Sequence, residues 1–181
     1  MLGSSRFVGV LDGAIEPVTL ARVKEQLKVD HSADDDLITA LISGVRRECE
    51  NYLFTALIPQ TRVCFFPCFG DLDLMGTHLG ISSIEYLSTD GEQETLAATE
   101  YRVIDDVVTR LRPVSSWPAT KHEDGAVKVT YACGPAAISP MVINAMLLKI
   151  TEQYDNRSNP TRAKATLADN MLSLERVQIF G

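Results

Sequence analysis

The feature that most constrains this chain is a change of period at Pro59. Residues 18–61 read VTLARVKEQLKVDHSADDDLITALISGVRRECENYLFTALIPQT. Apolar residues recur at helical spacing as far as Leu53, and from Thr61 to Tyr131 the spacing changes to two. One element cannot serve both periods, so helices must precede a β-rich segment.

Thr19 is placed to cap a first helix over 19–29, with Val18 and Val23 in the two positions of a hydrophobic staple. Leu20, Val23 and Leu27 form its narrow apolar stripe. A second helix is expected over 33–54. Ser32 and Asp35 have the spacing of a capping box, and Asp34, Asp35 and Asp36 lie in the first turn, where the helix dipole favours negative charge. Leu37, Ile38, Leu41, Ile42, Val45, Cys49, Tyr52 and Leu53 mark its core-facing stripe, with Arg46, Arg47, Glu50 and Asn51 opposite.

Strands are expected at 61–66, 71–74, 83–87, 94–96, 101–104, 107–111 and 126–131, with Asp90-Gly91 as a hairpin turn. Short connections between successive strands argue for antiparallel pairing. Ser139-Pro140 opens a third helix over 139–154. Its first ten residues after the proline, MVINAMLLKI, are apolar nearly all round, which requires burial on several sides, against a second subunit or in the chain's own core. Residues 1–17 read as an irregular arm. Residues 163–174 allow a short helix with Leu167, Met171 and Leu174 in line. The expected fold is α+β: a helical bundle of two N-terminal helices plus one after the sheet, an antiparallel β-rich middle, and an extended C-terminal tail. Residues 1–155 form one domain, with the β-rich insertion at 61–131, and 156–181 form the tail.

Net charge is −7, a poor basis for sequence-specific duplex binding, which needs clustered Lys and Arg. Side chains from 156 onward sum to +2, leaving −9 on the rest, so a mildly basic, apolar-tipped tail follows an acidic body. That combination reads as a docking element or as an edge strand of its own domain. No export signal or run of about 18 apolar residues is visible, and the expectation is a soluble product with four reduced cysteines.

Chemistry is sparse. His31, His78 and His122 are far apart in sequence. Cys64 and Cys68 have no second pair at zinc-site spacing, and the aspartate run lacks the alternating ligands of a calcium loop. Gly9, Gly13 and Gly44 fit no phosphate-binding loop, and no serine sits in a nucleophile elbow. Arg46-Arg47, Arg110 with Arg112, and Arg162 with Lys164 are small basic pairs without interleaved aromatics. No catalytic residue, cofactor or metal site is expected.

The order of helix, aspartate hinge, long helix, "LIPQT", β-rich middle, "VKVTYACG" and Ser-Pro helix resembles the head–tail connector (head-completion or adaptor) proteins of tailed bacteriophages, also found in gene transfer agents. The resemblance runs through 20–61, 101–103, Trp117-Pro118-Ala119 and 127–134, and departs at Gly134-Pro135-Ala136-Ala137, where the family has a glycine-rich link. It implies a non-enzymatic virion protein, made in the host cytoplasm, that forms a ring, typically of twelve subunits. That ring sits beneath the portal protein, receives a tail-side neck or tail-terminator protein, and lets double-stranded DNA pass; no membrane is involved. The portal-docking tail is then Leu174, Arg176, Val177, Ile179 and Phe180. The expected subunit interface is Arg46, Arg47, Glu50, Met141, Met146 and Lys149. The alternatives are another neck or tail-completion protein, and a small hydrolase with a scattered site.

Overall fold

The structure is a computed structural model that describes residues 4–105, 109–135, 137–156 and 165–176, without the side chains of 4, 5, 77 and 78. It is α+β and divides into two units. The helical unit takes 15–57 and the described part of 137–177; the β unit takes the described residues up to 14 and those of 58–136.

Four helices make up the described helical unit: α1 (Leu20–Leu27), α2 (Asp35–Leu53), α3 (Pro140–Asp155) and α4 (Leu167–Glu175). Thr19 caps α1 as expected, its side chain accepting from the Arg22 N–H. The start of α2 differs from expectation. Its N-cap is Asp34, whose side chain makes no cap bond; the carboxylate instead accepts from the Tyr154 hydroxyl at 2.5 Å. Asp35 accepts from Lys24 Nζ at 2.6 Å. The aspartates thus tie α2 to α3 and α1, because the partners offered by tertiary packing displace the local capping box. The buried stripe of α2 is also narrower than the sequence implies: Ile38, Ile42, Val45, Cys49 and Leu53 are buried, while Leu37 and Tyr52 stay exposed.

α3 is the centre of this unit, touching α1, α2 and α4. Val142, Ala145, Met146, Leu147 and Ile150 are buried there, so the unit's own core supplies the burial its composition demands. In α4 the expected stripe is displaced. Ala168 and Leu172 are buried, whereas Leu167 and Leu174 are exposed. A capping box between Thr166 and Asp169 sets this helix, so residues 167–175 are helical rather than extended. Of the residues expected to dock onto the portal, Val177, Ile179 and Phe180 lie outside the described residues.

The β unit holds β1 (Ser4–Val10), β2 (Gln60–Phe66), β3 (Leu72–Leu74), β4 (Thr77–Leu87), β5 (Gln93–Thr95), β6 (Tyr101–Ile104), β7 (Thr109–Pro113) and β8 (Val127–Gly134). All pairings are antiparallel. A five-stranded sheet runs β1-β2-β8-β4-β5, and a three-stranded sheet runs β3-β7-β6. Within the arm expected to be irregular, Ser4–Val10 is an edge strand, paired with β2 from Ser4↔Phe65 to Val10↔Gln60, while residues 11–17 are irregular. β4 is longer than expected because register shifts at His78/Gly80 and Ile81/Ser83 break its alternation without ending the strand. β8 is central, and its Val127, Val129, Tyr131 and Cys133 alternate inward. The Tyr131 hydroxyl accepts from the Met75 N–H and donates to the Met75 carbonyl, fixing the turn between β3 and β4. Among the described residues no helix is long and apolar enough to cross a membrane.

Candidate interaction surfaces

Polar side chains that the helical period assigns to solvent are drawn inside the helical unit. Glu50 is 0% exposed. One carboxylate oxygen accepts from Arg46 Nη1 at 3.0 Å and the other from the Leu57 N–H at 2.8 Å. Arg46 also donates to Glu16 at 2.8 Å. This set secures the end of α2: Phe54 takes a left-handed conformation (φ 56°), and Glu50 then holds the chain three residues on.

A second charged set joins three helices. Lys149 of α3, buried, contacts Glu48 of α2 at 2.7 Å and Asp169 of α4 at 2.9 Å. Burial opposes the charge on Lys149, and the two carboxylates together outweigh that and raise its pKa above the ordinary lysine value. Asp169 titrates well below the usual carboxylate range, first because the Thr166 backbone N–H donates to it and then, against its partial burial, because of Lys149 and the Thr166 hydroxyl. Gln153 adds a bond to Glu48 at 3.2 Å.

Of the residues expected at a subunit contact, Arg46, Glu50, Met146 and Lys149 are thus enclosed by their own helical unit. Arg47 is exposed and Met141 half-exposed. Of the expected set, these two members therefore keep accessible surface. In the C-terminal segment Leu174 is 77% exposed, and the Arg176 guanidinium lies 5.3 Å from the centre of the Tyr52 ring. Glu175 accepts from the Ser139 hydroxyl at 2.8 Å, tying the end of α4 to the start of α3.

Among the described residues, groups with reactive chemistry are not gathered. His31 and His122 are exposed on separate units, and His78 lies in β4. Burial pushes the Cys49 and Cys64 thiols up to about 12. Among the described residues no group of three or more His, Cys, Asp or Glu is arranged to hold a metal ion. A groove of about 420 Å³ in the helical unit is walled by Ile15, Val18, Leu20 and Ile42, and its acids are Asp36 and the Arg46-bound Glu16. It holds neither histidine nor cysteine to act as base or nucleophile.

Residues 17–64 match the family model described as "Phage gp6-like head-tail connector protein". This stretch takes in α1, α2 and the turn into β2, the same segment that carries the resemblance in the sequence. No curated protein matches the chain. Its fold is similar to that of chains in "Neck of empty GTA particle computed with C6 symmetry" (TM-score 0.75, 15% identity, 98% of each chain covered). It is similar too to a chain in "Virion of native gene transfer agent (GTA) particle" (0.74, 16%, 98% of this chain and 97% of that one). A third similar chain is in "Neck of native GTA particle computed with C12 symmetry" (0.64, 17%, 97% and 98%). At these identities the likeness is one of fold, and it extends over nearly the whole chain.

Proposed function

We propose that this chain is a structural head–tail connector: a non-enzymatic neck component of a phage-like particle that assembles as a ring beneath the portal, joins capsid to tail and lets DNA pass. The observation that carries the reading is the coincidence of two independent likenesses. The α1–α2 segment matches a connector family model, and the fold of the full chain resembles components of particle necks and a virion. The absence of a gathered reactive site among the described residues is compatible with a part that works by contact alone.

The exposed Leu174, with Arg176, Val177, Ile179 and Phe180 beyond it, forms the segment assigned to the portal. Arg47 and Met141 are the helix residues assigned to contact with a neighbour. The acidic body suits a passage for DNA, since like charge discourages phosphate from adhering. Residues 1–155 act as the connector domain and 156–181 as its docking segment, with a tail-side neck or terminator protein on the opposite face.

Full-length chain mixed with portal protein and the remaining neck and tail proteins, followed by native mass spectrometry, tests this. The expected result is a complex containing several copies of the chain per portal, and its loss when residues 177–181 are deleted. A chain that remains monomeric and ignores the portal with the complete tail set present refutes the reading.

A further inference from the structure

The three-stranded sheet presents two unlike faces. Leu72, Leu74, Thr109 and Leu111 are buried on one. Side chains directly opposite each other on paired strands share a face. The register Arg102↔Arg112, Ile104↔Arg110 and Asp73↔Arg110 therefore puts three arginines, an aspartate and an isoleucine on the other. Arg110 pairs with Asp73 at 2.9 Å, and Arg112 pairs with Asp71. Arg102, on the edge strand β6, is exposed and has no ion pair among the described residues. It stands directly opposite another arginine, an arrangement that destabilises an isolated sheet. Ile104 beside it is 42% exposed.

We propose that this face docks onto a second copy of the same chain, and that it meets the acidic corner at the β4–β5 turn. The proposal rests on the ring reading and supplies its contact. A chain of net charge −7 repels its own copies, so association needs a local patch of opposite sign. The arginine face is such a patch. Its composition is that of a protein contact: arginine rather than lysine, with an exposed aliphatic side chain among the guanidiniums. Asp73 and Asp71 already neutralise Arg110 and Arg112, which leaves Arg102 as the uncompensated charge of this face, too little to hold a phosphate backbone, and this disfavours DNA as the occupant.

The complementary patch lies on the other sheet. Ser88 donates its N–H to the Glu92 carbonyl at 2.8 Å to close the turn, where Gly91 sits at φ 85°. The Lys121 N–H donates to the Leu87 carbonyl at 3.1 Å, bringing the loop that follows beside that turn. Asp90, Glu92 and Asp124 are exposed there, and none has an ion pair among the described residues. Two different patches on one chain make a head-to-tail contact, the kind that closes into a ring.

The test is the full-length chain carrying Arg102→Glu, assembled with portal and read by native mass spectrometry for copies per portal. At least about a tenfold loss of ring occupancy is expected, since like-charge juxtaposition across a contact is costly. A second chain carrying Arg102→Glu with Asp90→Arg and Glu92→Arg should recover it by exchanging the charges. Arg102→Gln, which removes charge without inverting it, should give an intermediate loss and covers the case in which the reversal fails to fold. An intact ring with Arg102→Glu overturns the proposal while leaving the ring reading in place, and so does an effect confined to DNA retention or to portal attachment of an intact ring. Loss without recovery in the exchanged chain overturns the acidic corner as the partner. Failure of the unaltered chain to form any ring removes the ring reading and this contact with it.

Discussion

Glu50→Ala should be among the most damaging single substitutions in the helical unit, and the structure gives the size of the effect. The carboxylate is 0% exposed and Arg46 is 3% exposed, so neither can turn to water when the other is removed. Breaking a buried pair by deleting one partner costs about 3–5 kcal/mol. Arg46 keeps Glu16 at 2.8 Å, which places this contribution near the lower end. The Leu57 N–H also loses its acceptor, and a buried orphaned donor costs about 1–3 kcal/mol. Together these give about 4 kcal/mol. Glu50→Gln separates the two contributions: its amide oxygen can still accept from the Leu57 N–H while its NH2 then faces Arg46, so the pair contribution alone, about 3 kcal/mol, is expected. Urea unfolding followed by circular dichroism measures both, with unchanged slopes required for the comparison. A Glu50→Ala loss below about 1 kcal/mol, or equal losses for the two variants, would show that the end of α2 is held by apolar packing and not by this carboxylate.

Asp169→Asn should cost about 1 kcal/mol near neutral pH, the worth of a helix cap. Because the folded pKa of Asp169 is depressed, its stabilisation is present above the ordinary carboxylate pKa and fades as pH falls toward the folded value. Thermal midpoints of the two proteins should therefore converge in strong acid, and a constant gap there would refute the assignment. Gly134→Ala should destabilise by about 1–3 kcal/mol, since a Cβ there meets Leu79 Cδ1 at 3.0 Å and Pro59 Cα at 3.3 Å, the latter being backbone that cannot turn aside. Calorimetry of the variant checks this. In native protein at pH 8 a maleimide should label half-exposed Cys68 first, with Cys49 and Cys64 slower because they are buried and hold their protons to about 12. Peptide mapping of the labelled chain reads the order.

The helices were legible because each is written in local terms. Thr19, Ser139 with Pro140, and the spacing of Ile38, Ile42 and Val45 act within a few residues of one another. β1 was not, since SSRFVGV is interrupted by Gly9 and becomes a strand by pairing with residues 60–65. The same limit governs the charges. Helical period placed Glu50 and Arg46 outside, while Glu16 and the Leu57 N–H draw them in from other parts of the unit; their own spacing of four was the one local hint. Lys149 is comparable, its partners Glu48 and Asp169 lying on two other helices.

For the proposed contact the sequence showed Arg110 and Arg112 two apart, which alternation alone assigns to one face. It did not show that β6 pairs with β7 in the register that sets Arg102 opposite Arg112. A shift of one residue would turn Arg102 to the buried side and bring Val103 out. The arginine face thus depends on pairing register, not on composition. A helix-forming segment can be recognised in isolation, whereas a contact surface spread over three strands exists once the sheet has formed. A variant that slips this register should therefore lose assembly with all three arginines still in the chain.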